Sequence, residues 1–103
     1  MPKELDGMLN GDHPPLVLDV REPEEHATAR INPCTLIPLG QLHARMNEIQ
    51  GWKESQVVVY CHHGMRSRHA CQMLDQSGFR NTLNLEGGID LWSVEIDPKT
   101  PRY

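Results

Sequence analysis

Cys61 stands at the end of an apolar run, Val57-Val58-Val59-Tyr60, and is followed by His62-His63-Gly64-Met65-Arg66-Ser67 at the start of an amphipathic segment. A cysteine does nucleophilic chemistry as its thiolate, so the local question is what would ionise it near neutral pH. A short glycine-containing turn after a buried strand aims successive backbone N–H groups inward, and the helix behind it adds its positive end. From Cys61 to His69 the chain carries His62, His63, Arg66, Arg68 and His69 with no acidic residue, although the whole sequence has 14 acids against 10 bases. The pattern predicts a local anion pocket and an activated thiol. The alternative is a buried cysteine that only packs at a strand end, as free cysteines often do.

Cys34, Cys61 and Cys71 cannot all pair within the chain, and none lies in a Cys-x-x-Cys arrangement, so neither a disulfide framework nor a structural zinc is expected. Cys61, His62 and His63 are adjacent and His69 is near, which raises a metal site as a possibility. Neighbours in a tight turn rarely converge on one ion and the usual ligand spacings are absent, so the expectation is no metal and no cofactor.

At 103 residues and 11.7 kDa the chain is of a size for one domain, residues 1–103, with one core. With 38% hydrophobic but 5% aromatic residues, aliphatic packing must build that core. No run approaches the roughly 18 apolar residues that cross a bilayer, and Met1-Pro2-Lys3-Glu4-Leu5 lacks the apolar stretch of a signal peptide, so a cytoplasmic protein without membrane contact is expected. A net charge of −4 and a pI near 5.8 exclude nucleic acid as a partner, because phosphate neutralisation needs an extended basic face.

Periodicity places the elements that would hold the cysteine loop. Leu5, Met8 and Leu9 predict a short helix from Pro2 to Asn10, and Leu16 to Val20 a buried strand after the Pro14-Pro15 break. Pro23 with its flanking acids starts a helix reaching about Arg30. Thr35-Leu36-Ile37 reads as a brief strand, and Leu42, Met46 and Ile49 as the apolar stripe of a helix from Gln41 to Gln50. Gln56 to Tyr60 lacks alternation and so predicts a strand buried on both faces. A helix from about Arg66 to Ser77 turns Ala70, Met73 and Leu74 inward; a strand from Phe79 to Leu85, a Glu86-Gly87-Gly88 turn, a helix through Trp92 and an irregular tail from Asp97 to Pro101 complete the chain. Strands alternating with helices predict an α/β fold: a small, mainly parallel sheet flanked by helices on both faces. Ligands in such folds bind beyond the carboxyl ends of the strands, where Asp19-Val20-Arg21-Glu22, the Cys61 loop and Glu86-Gly87-Gly88 would share one rim.

These segments together resemble the rhodanese family of sulfurtransferases: Leu18-Asp19-Val20-Arg21-Glu22-Pro23-Glu24-Glu25, Ile37-Pro38-Leu39, Val57 to Cys61 with Gly64 and Arg66-Ser67, Gly78-Phe79, and Asn84 to Ile89 with Trp92. The resemblance spans nearly the whole chain in order. It implies a three-layer α/β/α fold and a persulfide chemistry in which Cys61 takes a sulfane sulfur from a small anionic donor such as thiosulfate and passes it to a thiol acceptor or a sulfur-carrier protein. Backbone amides from His62, His63, Gly64, Met65, Arg66 and Ser67 would hold the persulfide and the departing sulfite, with Arg66 as a charged fork. The family departs here at His62, commonly arginine in thiosulfate-active members, whose charge would vary with pH near neutrality. It departs also at Ala29-Arg30-Ile31, in place of a Gly-His-Ile turn, and lacks the short strand that often precedes the first helix.

Asp19 is expected to bond the backbone at a strand end or to orient Arg21, and Glu86 either faces the rim or is a solvated turn residue. Cys71 is expected to pack inside its helix, Cys34 has no evident partner, and His13, His26 and His43 read as surface residues. Two other functions stay open: a cysteine phosphatase or arsenate reductase, and a non-catalytic binding module. The phosphatase pattern Cys-x5-Arg would need arginine at position 67, where the chain has Ser67; Arg66 closes a tighter loop, suited to one sulfur atom.

Overall fold

The computed structural model describes residues 2–100. Strands β1 (Leu16–Asp19), β2 (Thr35–Leu36), β3 (Gln56–Tyr60) and β4 (Asn81–Asn84) form a four-stranded sheet in the order β2-β1-β3-β4. All the pairings are parallel, with Leu16 opposite Val57, Asp19 opposite Tyr60, Val59 opposite Asn84, and Asp19 opposite Leu36. Parallel neighbours require crossovers, supplied by α2 (Pro23–Thr28), α3 (Leu42–Arg45) and α4 (Met65–Gln76), while α1 (Pro2–Leu9) and α5 (Gly88–Glu95) lie at the ends of the chain.

The strand period of two sorts β3 between two cores. Val57, Val59 and Cys61 join Leu16, Leu18, Leu42, Ile49, Ala70 and Leu74, whereas Val58 and Tyr60 join Leu5, Val17, Leu85, Ile89 and Trp92. So α3 and α4 cover one face and α1 and α5 the other, and the unbroken apolar run of β3 follows from burial on both sides. From β1 the chain goes outward to β2 and then returns across β1 to β3. The order therefore switches between β1 and β3, and Asp19 and Cys61 stand at that switch, where open α/β sheets leave a crevice.

Three elements differ from the sequence expectation. The helix expected over residues 41–50 is broken: α3 is one turn long, flanked by 3-10 segments Leu39–Gln41 and Met46–Trp52, with Ile49 out of helical geometry at φ −119° and ψ 15°. Asn47 and Gly51 are weak helix formers, and the tighter turns still bury Leu42 and Ile49. Strand β4 is shorter than Phe79 to Leu85, and α2 stops at Thr28 because Ala29 is extended, φ −159° and ψ 140°. Of the irregular tail, Pro101 lies outside the described residues. No helix among the described residues is long and apolar enough to cross a membrane.

Candidate active site

Cys61 is the first residue beyond β3 and is 2% exposed. Gly64 takes a left-handed conformation, φ +113°, as the N-cap of α4, which turns its N–H back onto Cys61 Sγ at 3.0 Å. Ser67, buried in the first turn of α4, places Oγ 3.5 Å from the same sulfur. Burial alone would push the Cys61 thiol up; the Ser67 hydroxyl and the backbone N–H groups of Ser67, Gly64 and Arg66 outweigh it and bring the thiol below its ordinary 9.0. The Ser67 hydroxyl has one proton, and it donates that to Asn84 Oδ1, while Asn84 Nδ2 donates to Gly64 O at 3.2 Å. Ser67 can serve the thiolate only by turning its proton away from Asn84, so the amides are the permanent donors.

Helix α5 fixes the back of the loop: Ile89 N–H donates to Cys61 O at 2.9 Å and Asp90 N–H to His62 O at 3.2 Å. That approach requires Gly88, at φ +59°, since a Cβ there would run into the carbonyl oxygens of Cys61 and His62. Gly88→Ala is expected to lower stability by about 1–3 kcal/mol and to shift the loop off its amides. Denaturant unfolding and the alkylation rate of Cys61 both check this; an unchanged alkylation rate would show that α5 does not set the loop.

The charges around the loop are not the cationic pocket expected from residues 61–69. Arg66 Nη1 and Nη2 bond Glu25 Oε1 and Oε2 at 2.7 and 2.8 Å, so the fork faces α2. His62 is half-buried and stacked on His63, ring centroids 4.1 Å apart, and burial followed by the His63 charge lowers its pKa below 6.5. His62 is therefore neutral at pH 7, and its titration lies lower than the sequence suggested. His63 is exposed with Nδ1 3.9 Å from Asp90, Met65 is 74% exposed, and Arg68 and His69 lie on the exposed side of α4. Glu86 is exposed in the turn that packs on Gly64, where Gly87 N and Leu85 O lie 3.5 and 3.8 Å from a Cβ built on Gly64. Stabilisation of an anion at Cys61 thus comes from oriented amides rather than from net positive charge.

Asp19 and Arg21 are both fully buried. Arg21 Nε and Nη2 donate to Asp19 Oδ1 and Oδ2 at 2.9 and 2.8 Å, and the Arg21 N–H to Oδ1 at 3.0 Å. The guanidinium also reaches Ala29 O at 2.5 Å and Glu25 O at 3.3 Å, which ties the end of α2 to β1 and so sets where Glu25 meets Arg66. Burial opposes ionisation of Asp19, but hydrogen bonds from Arg21 and His26 prevail and hold it below the ordinary 3.8. His26 is not a plain surface residue: its Nδ1 lies 2.9 Å from Asp19 Oδ2. Cys34 also finds neighbours, Tyr60 Oη at 3.6 Å and His26 Nδ1 at 4.0 Å. Asp19, His26 and Cys34 bring metal-capable atoms within 4.8 Å of one another, but the Arg21 charge on the same carboxylate opposes a cation there. Cys71, on α4, packs against the core, and burial pushes its thiol up to about 11.

Glu25 and Asn84 were the site neighbours that sequence reasoning did not single out. Glu25 contacts Arg66 across 41 positions and Asn84 contacts Ser67 across 17, and no local spacing announces such pairs.

The sequence profile of the rhodanese-like domain matches residues 1–95. A protein of Allochromatium vinosum named sulfurtransferase is 41% identical over 78 residues, covering 76% of this chain and 71% of that protein. The maize adenylyltransferase and sulfurtransferase MOCS3-2 is 33% identical over 106 residues, covering 98% of this chain, which spans 22% of that protein's length. Among solved structures, a rhodanese-like domain protein from Staphylococcus aureus aligns with a TM-score of 0.81 at 30% identity, covering 88% of this chain and 86% of the other. With the parallel sheet, the cysteine at its switch point and a profile match over residues 1–95, the chain belongs to the rhodanese-like domain family.

Proposed function

We propose that the protein is a sulfurtransferase in which Cys61 carries the sulfur. The observation that supports this most is the set of amides turned on one sulfur atom: the Gly64 N–H at 3.0 Å, with the backbone N–H groups of Arg66 and Ser67 also favouring the ionised thiol. Such donors stabilise a thiolate, and amides turned toward the same side would serve the charge of the persulfide that replaces it. The Cys61 thiolate attacks the outer sulfur of a sulfane donor such as thiosulfate; a sulfur–sulfur bond forms at Cys61 as the donor's own breaks, and the electron pair leaves with sulfite. A thiol acceptor, or a sulfur-carrier protein, then attacks the terminal sulfur and restores the thiolate. The exposed Met65 and His63 flank the approach an acceptor would use.

Intact-mass measurement after incubation with a sulfane donor tests the reading. One added sulfur, mapped to the peptide containing Cys61 and removed by a thiol, supports it. Hydrolysis of an aryl phosphate with no sulfur uptake would replace it with the phosphatase reading. Because His62 is neutral at pH 7, His62→Arg adds a permanent charge beside the loop and is expected to raise kcat/KM for thiosulfate about threefold. Steady-state assays across pH check this, and equal or lower values throughout would count against it.

A further inference from the structure

Arg66 is the charged fork in the first turn of α4, yet a carboxylate already holds it with two bonds of 2.7 and 2.8 Å. Glu25 is locked in that position. Its Oε1 also accepts the Glu22 N–H at 3.0 Å in a capping box, and the buried Arg21 fixes the backbone of α2 through Glu25 O and Ala29 O. A second carboxylate borders the loop, Asp90, 3.9 Å from His63 Nδ1. A dianion arriving at Cys61 either meets this acidic frame or displaces Glu25 from Arg66 and loses a two-bond, charge-assisted pair. A donor with one charge or none, borne on the sulfur that moves under the amides, meets neither obstacle.

We propose that Glu25 is a specificity-determining residue: by occupying Arg66 it discriminates against dianionic donors such as thiosulfate and leaves the site suited to organic persulfides. This inference rests on Cys61 being the sulfur carrier. In the favoured reaction the Cys61 thiolate attacks the terminal sulfur of R–S–SH, the new sulfur–sulfur bond forms as the donor bond breaks, the electron pair leaves as R–S⁻, and the proton passes to solvent. One sulfur moves and no external oxidant or reductant is needed.

The test compares the rate of sulfur uptake from thiosulfate and from 2-hydroxyethyl persulfide, a donor with no charged group besides its persulfide sulfur, in the native protein and in Glu25→Gln. Glutamine keeps an oxygen for the Glu22 N–H and Arg66 Nη1, and removes the charge together with the acceptor of Arg66 Nη2. The native protein is expected to favour the persulfide, and Glu25→Gln to shift the ratio of kcat/KM values about tenfold toward thiosulfate, mostly through KM. Without any substitution, thiosulfate uptake by the native protein is expected to rise with ionic strength as repulsion is screened. An unchanged ratio in Glu25→Gln, or a native thiosulfate rate that falls with salt, overturns the proposal while leaving Cys61 as carrier. Failure of both proteins to take sulfur from either donor overturns the carrier reading as well.

Discussion

Replacing Cys61 with serine is expected to abolish sulfur uptake and to lower sulfurtransferase turnover by at least about 10³-fold, the scale seen when a nucleophile is removed. The size follows from the chemistry. Serine is nearly the same shape, so the loop, the Gly64 N-cap and the α5 contacts at the Cys61 and His62 carbonyls survive. Its hydroxyl does not ionise near neutral pH, even under the amides that lower the cysteine, and an oxygen cannot store a transferable sulfane sulfur. Stability should therefore change little while activity disappears, and thermal unfolding run beside the turnover assay separates the two. Residual turnover above a hundredth of native would mean that another thiol carries sulfur. Neither of the others is poised for it, since burial raises both Cys34 and Cys71, the latter to about 11.

The largest effect on stability is expected at Arg21. Arg21→Leu leaves the Asp19 carboxylate with no exposed surface and without the guanidinium that bonded both of its oxygens. Removing one member of a buried ion pair costs about 3–5 kcal/mol, a large part of the roughly 5–15 kcal/mol that holds a domain together. The same change removes the guanidinium from Ala29 O and from Glu25 O, which keeps only its bond from the Ala29 N–H, so α2 should loosen and carry Glu25 away from Arg66. Denaturant unfolding measures the loss; a change under 1 kcal/mol would mean that water or His26 takes over the role of the guanidinium. The pH dependence has a definite sign. Asp19 is held below its ordinary 3.8, so its contribution is complete above that value and is lost as pH falls through the lower folded value. In Arg21→Leu the carboxyl should protonate at higher pH, which moves the onset of acid unfolding upward.

The sequence exposed the parts whose cause is local. The unbroken apolar run at β3, the glycine turn after Cys61 and the alternation of strands with helices led to the parallel α/β sheet, and the order of motifs led to the rhodanese resemblance. Cysteine, glycine and serine at positions 61, 64 and 67 could be read as a cradle because its donors lie within one turn of chain. What stayed hidden was long-range. Counting bases between residues 61 and 69 gave a cationic pocket, but the carboxylate that engages Arg66 comes from position 25 and the one near His63 from position 90. His26 looked like a surface residue because an isolated histidine among charges carries no pattern, yet the β1–α2 connection brings it to Asp19. The helix at residues 41–50 failed for another reason: its apolar stripe is real, but 3-10 turns bury the same side chains.

The central claim is that backbone amides hold an anion on Cys61, and the pH dependence of its alkylation tests it most directly. In a protein with Cys34 and Cys71 changed to serine, the thiol is expected to react with a midpoint below the ordinary 9.0. A midpoint at or above that value would show that burial prevails over the amides, and would contradict the account.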